Sequence, residues 1–141
     1  MELAMSNNNP DKFDPPKHEE ILRVLGKAFW SIVEHYALNQ REQAILLGIK
    51  ENRQRLNTLK KEVQIPDDPD KILRVAHLVG IHKNLRILFP QNRVVAYGWF
   101  KTKRDLFDGL SAMEYIAEDP MNSLPRLFSV RRLLDQLRVA G

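Results

Sequence analysis

Hydrophobic positions recur at helical spacing along most of the chain. From Glu19 to Tyr36, apolar residues follow an i, i+3, i+4, i+7 pattern and polar residues fall on the opposite side, which predicts an amphipathic helix. A second, short helix is predicted from Gln40, with Asn39 as its N-cap and Gly48 as its stop. A third helix, mostly polar, is predicted from Glu51 to about Lys61.

The same periodicity resumes after a break that is rich in proline. Pro66-Asp67-Asp68-Pro69 interrupts any continuous helix, so a domain boundary is predicted there. The next helix, Ile72 to about Phe89, has apolar residues on two faces, and we expect it to be central and buried on both sides.

The rest of the chain also favours helices. Short helices are predicted from Val94 to Phe100 and after Ser111, where Ser111 and Glu114 form a capping box. A last helix is predicted after Pro125, ending at about Arg138. No segment alternates strictly between apolar and polar residues, so the sequence predicts an all-α fold.

Composition narrows the class of protein. The 141 residues suit one ordinary domain, or two very small ones that share a core. The absence of cysteine excludes disulfide scaffolds and thiolate zinc sites. The apolar runs are far shorter than the roughly 20 residues that cross a bilayer, and the N-terminal stretch lacks the pattern of a secretory signal. We therefore expect a cytoplasmic protein.

Catalytic and metal chemistry is not indicated. The four histidines (His18, His35, His77 and His82) include no i, i+4 pair, and the clustered carboxylates lie in turns bounded by proline. The chain has neither a G-x-S-x-G motif nor a glycine-rich nucleotide loop. We expect neither an enzyme nor a cofactor or metal.

The positive charge is concentrated in one segment. The whole chain carries +4, and residues 39 to 61, with six basic and two acidic residues, carry +4 by themselves. Ala44, Gly48 and Ile49 are spaced like the small, turn and packing residues of a helix-turn-helix. The following helix offers side chains that bind bases or phosphates: Asn52, Arg53, Gln54, Arg55, Asn57 and Lys60. An ordinary helical corner with a solvated basic face is the alternative, and Lys50 is a poor residue for a cap.

The last helix carries a second group of charges. It contains a single acidic residue, Asp135, and four arginines: Arg126, Arg131, Arg132 and Arg138. This helix is either a core helix with a solvated basic face or a surface for a protein partner.

The second half of the chain resembles a known family. A run from Arg74 to Phe89 is followed by Ala96-Tyr-Gly-Trp99-Phe100, by Phe107 to Met113, and by the closing run from Leu127 to Arg138. The valine, two arginines, leucine, aspartate and arginine of that last run are the most specific part. Residues 70–141 resemble the toxin-binding domain of Xre/MbcA/ParS-type antitoxins, and residues 20–65 are similar to the Xre-like helix-turn-helix that precedes it.

The resemblance implies an antitoxin of a type II toxin–antitoxin system. Such a protein dimerises, binds the operator DNA of its own promoter, and occludes the active site of a RES-type toxin that consumes NAD or of an ADP-ribosyltransferase. The resemblance implies a DNA-binding half (19–66) and a toxin-binding half (67–141). The polar, proline-bearing residues 1–18 before them predict a flexible tail. The implied toxin-binding residues are Arg131, Arg132, Asp135, Arg138 and Gly141. The implied DNA-binding residues are Arg41, Gln43, Arg53, Gln54, Arg55, Asn57 and Lys60.

Two other hypotheses fit the same residues. One is a stand-alone helix-turn-helix transcription regulator whose C-terminal domain only dimerises. The other is a small helical adaptor without affinity for DNA. The antitoxin hypothesis requires that the end of the last helix be accessible to a partner.

Overall fold

The structure is a computed structural model that describes residues 10 to 140. Residues 1 to 9 of the predicted tail, and Gly141, lie outside the described residues. Within this range all regular structure is helical, which confirms the all-α prediction. The α-helices are α1 (His18–His35), α2 (Gln40–Leu47), α3 (Arg53–Glu62), α4 (Pro69–Leu88), α5 (Arg93–Gly98), α6 (Ala112–Ala117) and α7 (Ser123–Ala140). Short 3-10 helices occupy Trp99–Lys101, Asp105–Phe107 and Pro120–Asn122.

Local side-chain chemistry sets several helix ends. Asn39 and Glu42 form a reciprocal capping box at the start of α2, and Ser111 and Glu114 form another at the start of α6. Gly48 ends α2 in the left-handed conformation, with φ at +69°. The predicted caps at Asn39 and Ser111 and the predicted stop at Gly48 are confirmed.

Three predicted helix starts were wrong, and α4 begins at Pro69 rather than Ile72. The third helix begins at Arg53 rather than Glu51, because the Asn52 side chain is the cap and accepts a 2.9 Å hydrogen bond from the Arg55 amide. Lys50 lies in the loop, so it does not weaken the cap. The last helix begins at Ser123, before Pro125, because a proline in the first turn removes an amide that has no intrahelical partner.

Helix α4 is the centre of the fold. It packs against α1 on one side and α7 on the other, and α2 also contacts it, which confirms its predicted central place. Asp68 caps the helix by accepting from the amides of Asp70 and Lys71, and Pro69 occupies the first turn. The core-facing residues of α4 are Val75, Leu78, Ile81 and Leu85.

One hydrophobic core serves both halves of the chain. Phe29 and Leu47 from the first half and Phe100 and Leu134 from the second are all fully buried in the same cluster. Residues 66–68 of the predicted boundary lie in the connection between α3 and α4, Pro69 begins α4, and the core extends across this segment. Helix α3 and the end of α7 are therefore held by a common scaffold.

Candidate nucleic-acid and partner interfaces

Helix α3 presents most of its side chains to solvent. Only Leu56 is buried among its residues, at 1% exposure, and Leu59 is half-buried beside the core. Arg53, Gln54 and Arg55 are exposed in its first turn. A helix held by so few apolar contacts offers a long polar face, and here that face is basic.

The structure brings most of the predicted DNA-binding residues to the surface. Arg41 is exposed on α2, and on α3 Asn57 accepts a hydrogen bond from the side chain of Gln40 at 3.0 Å. Lys60 is exposed and forms an ion pair with Glu34 of α1 at 3.1 Å. Gln40, which sequence reasoning missed, therefore links the start of α2 to the exposed face of α3.

Gln43 does not join that face. It is buried, at 7% exposure, and its Nε2 atom donates to the carbonyl of Leu38 at 2.9 Å. The bond satisfies a polar group inside the fold and directs the side chain away from solvent. A DNA contact by Gln43 is therefore contradicted by its place in the structure.

Helices α4 and α7 lie side by side and run in the same direction. Along the two helices, contacts join Arg74 to Ser123, then Gly80 to Arg131, and then Asn84 to Asp135. A Cβ atom on Gly80 would collide with the Arg131 side chain, so the glycine makes the space in which Arg131 crosses α4. There the guanidinium approaches the carbonyl of Ala76 at 3.5 Å and Nδ1 of His77 at 3.4 Å.

A buried asparagine fixes the end of α7. Asn84 of α4 is 1% exposed, and its amide nitrogen donates to Asp135 while its oxygen accepts from Arg138, both at 2.8 Å. Both polar atoms of the buried amide are thereby satisfied. Three residues predicted to bind the toxin, Arg131, Asp135 and Arg138, thus have structural partners within the chain.

The end of α7 remains open to solvent. Arg132 is exposed, and so is every residue from Asp135 to Ala140. Leu137 is 43% exposed and Val139 89% exposed. The accessibility that the antitoxin hypothesis requires is present, whereas Gly141 lies outside the described residues.

The loop after α5 is tied down by its basic residues. Lys101 donates to the carbonyl of Ala37 and pairs with Glu42 at 2.9 Å, which joins the loop to the corner between α1 and α2. Arg104 stacks on Trp99, with its Cζ atom 4.4 Å from the ring centroid. Lys101 and Arg104 therefore both have partners within the chain.

A cluster of rings lies between α1, α4 and α5. His35 and Tyr97 stack at 4.3 Å between ring centroids, and His82 stacks on Tyr97 at 5.8 Å. Nδ1 of His82 is 3.0 Å from the hydroxyl of Tyr36, whose pKa is raised by burial. Burial, followed by the charges of His35 and Arg86, lowers the pKa of His82 below its usual 6.5.

This depressed pKa predicts a loss of stability in mild acid. The folded protein disfavours the protonated form of His82. The contribution of neutral His82 to the free energy of unfolding is therefore fully present above about pH 6.5, and it is lost as the pH falls through the lower pKa of the folded state. Urea unfolding at pH about 7.5 and about 5.5 should show that His82→Gln reduces the pH dependence of stability. An unchanged pH dependence of stability in His82→Gln would contradict the assignment.

Between Pro10 and Ala140, no three histidine, aspartate or glutamate side chains gather closely enough to hold a metal ion. Over the same residues, no helix is both long and apolar enough to cross a bilayer.

Comparison with known proteins places the chain in a family. It is 30% identical, over 112 residues, to the uncharacterized protein y4oB of Sinorhizobium fredii (strain NBRC 101917 / NGR234). The alignment covers 79% of this chain and 82% of that protein. The chain therefore belongs to the same family as y4oB. No family model and no solved structure matches the chain.

Proposed function

We propose that this protein is the antitoxin of a type II toxin–antitoxin system and is not itself an enzyme. Its partners are a cognate toxin, of the RES type that consumes NAD or of the ADP-ribosyltransferase type, and operator DNA. The proposal rests on the resemblance of residues 70–141 to Xre/MbcA/ParS-type antitoxins. It includes a cytoplasmic location and a homodimer.

The accessible end of α7 is the observation that carries the proposal. It combines the exposed Arg132 with exposed apolar side chains at Leu137 and Val139. A cleft that binds an anionic dinucleotide attracts cations, and apolar side chains add contact area once water is excluded. The end of α7 is therefore suited to occlude such a cleft.

Co-expression with the product of the adjacent gene tests the toxin-binding part. We expect the neighbouring product to arrest growth when it is expressed alone and to be silenced when this chain is expressed with it. A neighbour that is harmless alone, or that stays toxic in the presence of this chain, would remove the antitoxin proposal.

The exposed basic face of α3 supports the DNA-binding part. Arg53, Gln54 and Arg55 are exposed in the first turn of α3, a helix whose one buried side chain is that of Leu56. Arginine and glutamine in the first turn of a recognition helix can contact base edges or phosphates in the major groove. A homodimer would present two copies of α3 to half-sites about 34 Å apart.

Replacing both arginines should weaken DNA binding and its dependence on salt. For Arg53→Ala/Arg55→Ala, each lost contact should cost about 1–3 kcal/mol, and the slope of log K against log[salt] should fall by about 2. Fluorescence anisotropy with a duplex from upstream of the protein's own gene, in about 50 to 200 mM salt, measures both.

The matched control is Lys83→Ala/Arg93→Ala, which removes the same charge from two exposed positions on α4 and α5. It should change affinity far less. If the two double variants lose affinity equally, the effect is one of net charge and α3 is not the DNA-binding element.

A stand-alone transcription regulator is the second candidate, and one observation favours it. Arg131, Asp135 and Arg138 form hydrogen bonds with residues of α4. These contacts within the chain account for the two arginines and the aspartate without any contact to a toxin. In that case the second half of the chain would serve only to dimerise. Truncation of the chain after Gln136 separates the two functions.

A further inference from the structure

A single arginine lies where three helices meet. Arg74 is on α4, and its side chain is only 12% exposed. Its Nη1 atom donates to the carbonyl of Ile45 near the end of α2, at 3.3 Å, and to the hydroxyl of Ser123 at the start of α7, at 2.8 Å. Its Nε atom donates to Asp70 at 2.9 Å. One largely buried cation therefore links α2, α4 and α7.

The same guanidinium lies against the turn that precedes α3. A Cβ atom on Gly48 would be 2.5 Å from both Cζ and Nε of Arg74, so the turn and the guanidinium share a close contact that only glycine permits. Gly48 is also in the left-handed conformation, at φ +69°. The cation further interacts favourably with the carbonyl end of α2.

The ion pair with Asp70 holds the guanidinium in one orientation. The bonds that Asp70 accepts from Lys71 and Arg74 lower the pKa of its carboxyl, which therefore stays charged. Because a guanidinium is planar, fixing Nε toward Asp70 also fixes the direction of Nη1. The same fixed guanidinium therefore contacts both Ser123 and the turn at Gly48.

We propose that Arg74 is a positioning residue that couples the start of α7 to the turn before α3, so that a shift of α7 changes the DNA affinity of α3. The DNA part of this inference rests on the proposed function. Helix α3 has one buried side chain of its own, Leu56, so the turn at Gly48 is one of the few contacts that set the orientation of its first residues. Helix α7 is continuous from Ser123 to Ala140, which connects the exposed end to the coupling contact.

Two serines of α7 provide a matched test. The Ser123 hydroxyl accepts from Arg74, whereas the Ser129 hydroxyl donates to the carbonyl of Pro125 within α7. We expect Ser123→Ala to accelerate hydrogen exchange at the amides of Gly48 and Ile49 by about 3- to 10-fold, and Ser129→Ala to leave it unchanged. Those two amides bond to carbonyls of α2, so their exchange reports the opening of the turn.

The double-variant cycle assigns the effect to Arg74. In an Arg74→Met background, Ser123→Ala should have no further effect on exchange at Gly48 and Ile49. Arg74→Lys keeps the charge without the planar fork, so it should retain global stability better than Arg74→Met but still lose the coupling. Exchange of core amides in α1, measured in the same samples, reports global stability and separates it from opening of the turn.

The outcomes separate this inference from the proposed function. Unchanged exchange at Gly48 and Ile49 in Ser123→Ala, or an equal change in the Arg74→Met background, overturns the coupling. With the duplex from upstream of the gene, Ser123→Ala should weaken binding about 3- to 10-fold and Ser129→Ala should not; equal affinities would overturn the effect on DNA binding. If exchange responds as expected but the wild-type chain binds no duplex, the coupling to the turn stands and the DNA-binding proposal fails.

Discussion

Ending the chain after Gln136 is expected to abolish silencing of the toxin while leaving DNA affinity within about twofold of the wild type. The truncation removes the exposed Leu137 and Val139, which the proposal places in the toxin's cleft. It also removes Arg138, whose described hydrogen bond is to Asn84 of α4 and not to α2 or α3. Growth under co-expression with the adjacent gene measures silencing, and anisotropy with the upstream duplex measures DNA binding.

Asn84→Ala provides the control for this truncation. It removes the partner of Asp135 and Arg138 from the α4 side but leaves the whole end of α7 in place. It should lower the free energy of unfolding by about 1–3 kcal/mol, measured in urea, and still silence the toxin. If the truncated chain also silences, the end of α7 does not occlude the toxin. Equal loss of silencing and DNA binding would favour the transcription regulator whose second half only dimerises.

Local chemistry explains why much of the fold was predictable from the sequence. The capping boxes at Asn39 and Ser111 and the glycine stop at Gly48 act within a few residues, so the sequence around them contains the whole signal. The predicted start of α3 at Glu51 is two residues too early because Asn52, whose residue type also suits a base contact, is the cap. Asparagine suits both roles, and only the backbone conformation distinguishes them.

Long-range partners explain what the sequence could not provide. The Arg131 side chain packs over Gly80, which is about fifty residues earlier in the sequence. Asp135 and Arg138 form hydrogen bonds with the buried Asn84 at a similar sequence separation. Nothing in the spacing of charges along α7 reveals which of them face α4. The resemblance likewise implies a DNA contact for Gln43, yet its side chain donates to the backbone carbonyl of Leu38.

Gly26→Ala is expected to destabilise the fold by about 2 kcal/mol and to lower Tm by about 6 °C. A Cβ atom at Gly26 would be 2.5 Å from the carbonyl oxygen of Val63, a backbone atom that cannot rotate away as a flexible side chain can. Val63 is the C-cap of α3, and the backbone carbonyl of the next residue, Gln64, accepts a 2.7 Å hydrogen bond from the Trp30 indole of α1. The substitution therefore separates α1 from the end of α3.

The intrinsic preference of helices acts in the opposite direction, which makes the sign of this change informative. Alanine favours a helix over glycine by about 1 kcal/mol, so a position without steric conflict should gain stability. Gly98 is such a position, since a Cβ atom there meets nothing within 4 Å and its φ is −87°. Thermal unfolding should therefore show Gly26→Ala below the wild type and Gly98→Ala at or above it. If both variants are equally stable, α1 and the end of α3 do not pack backbone against backbone, and the exposed face of α3 is not fixed from this side.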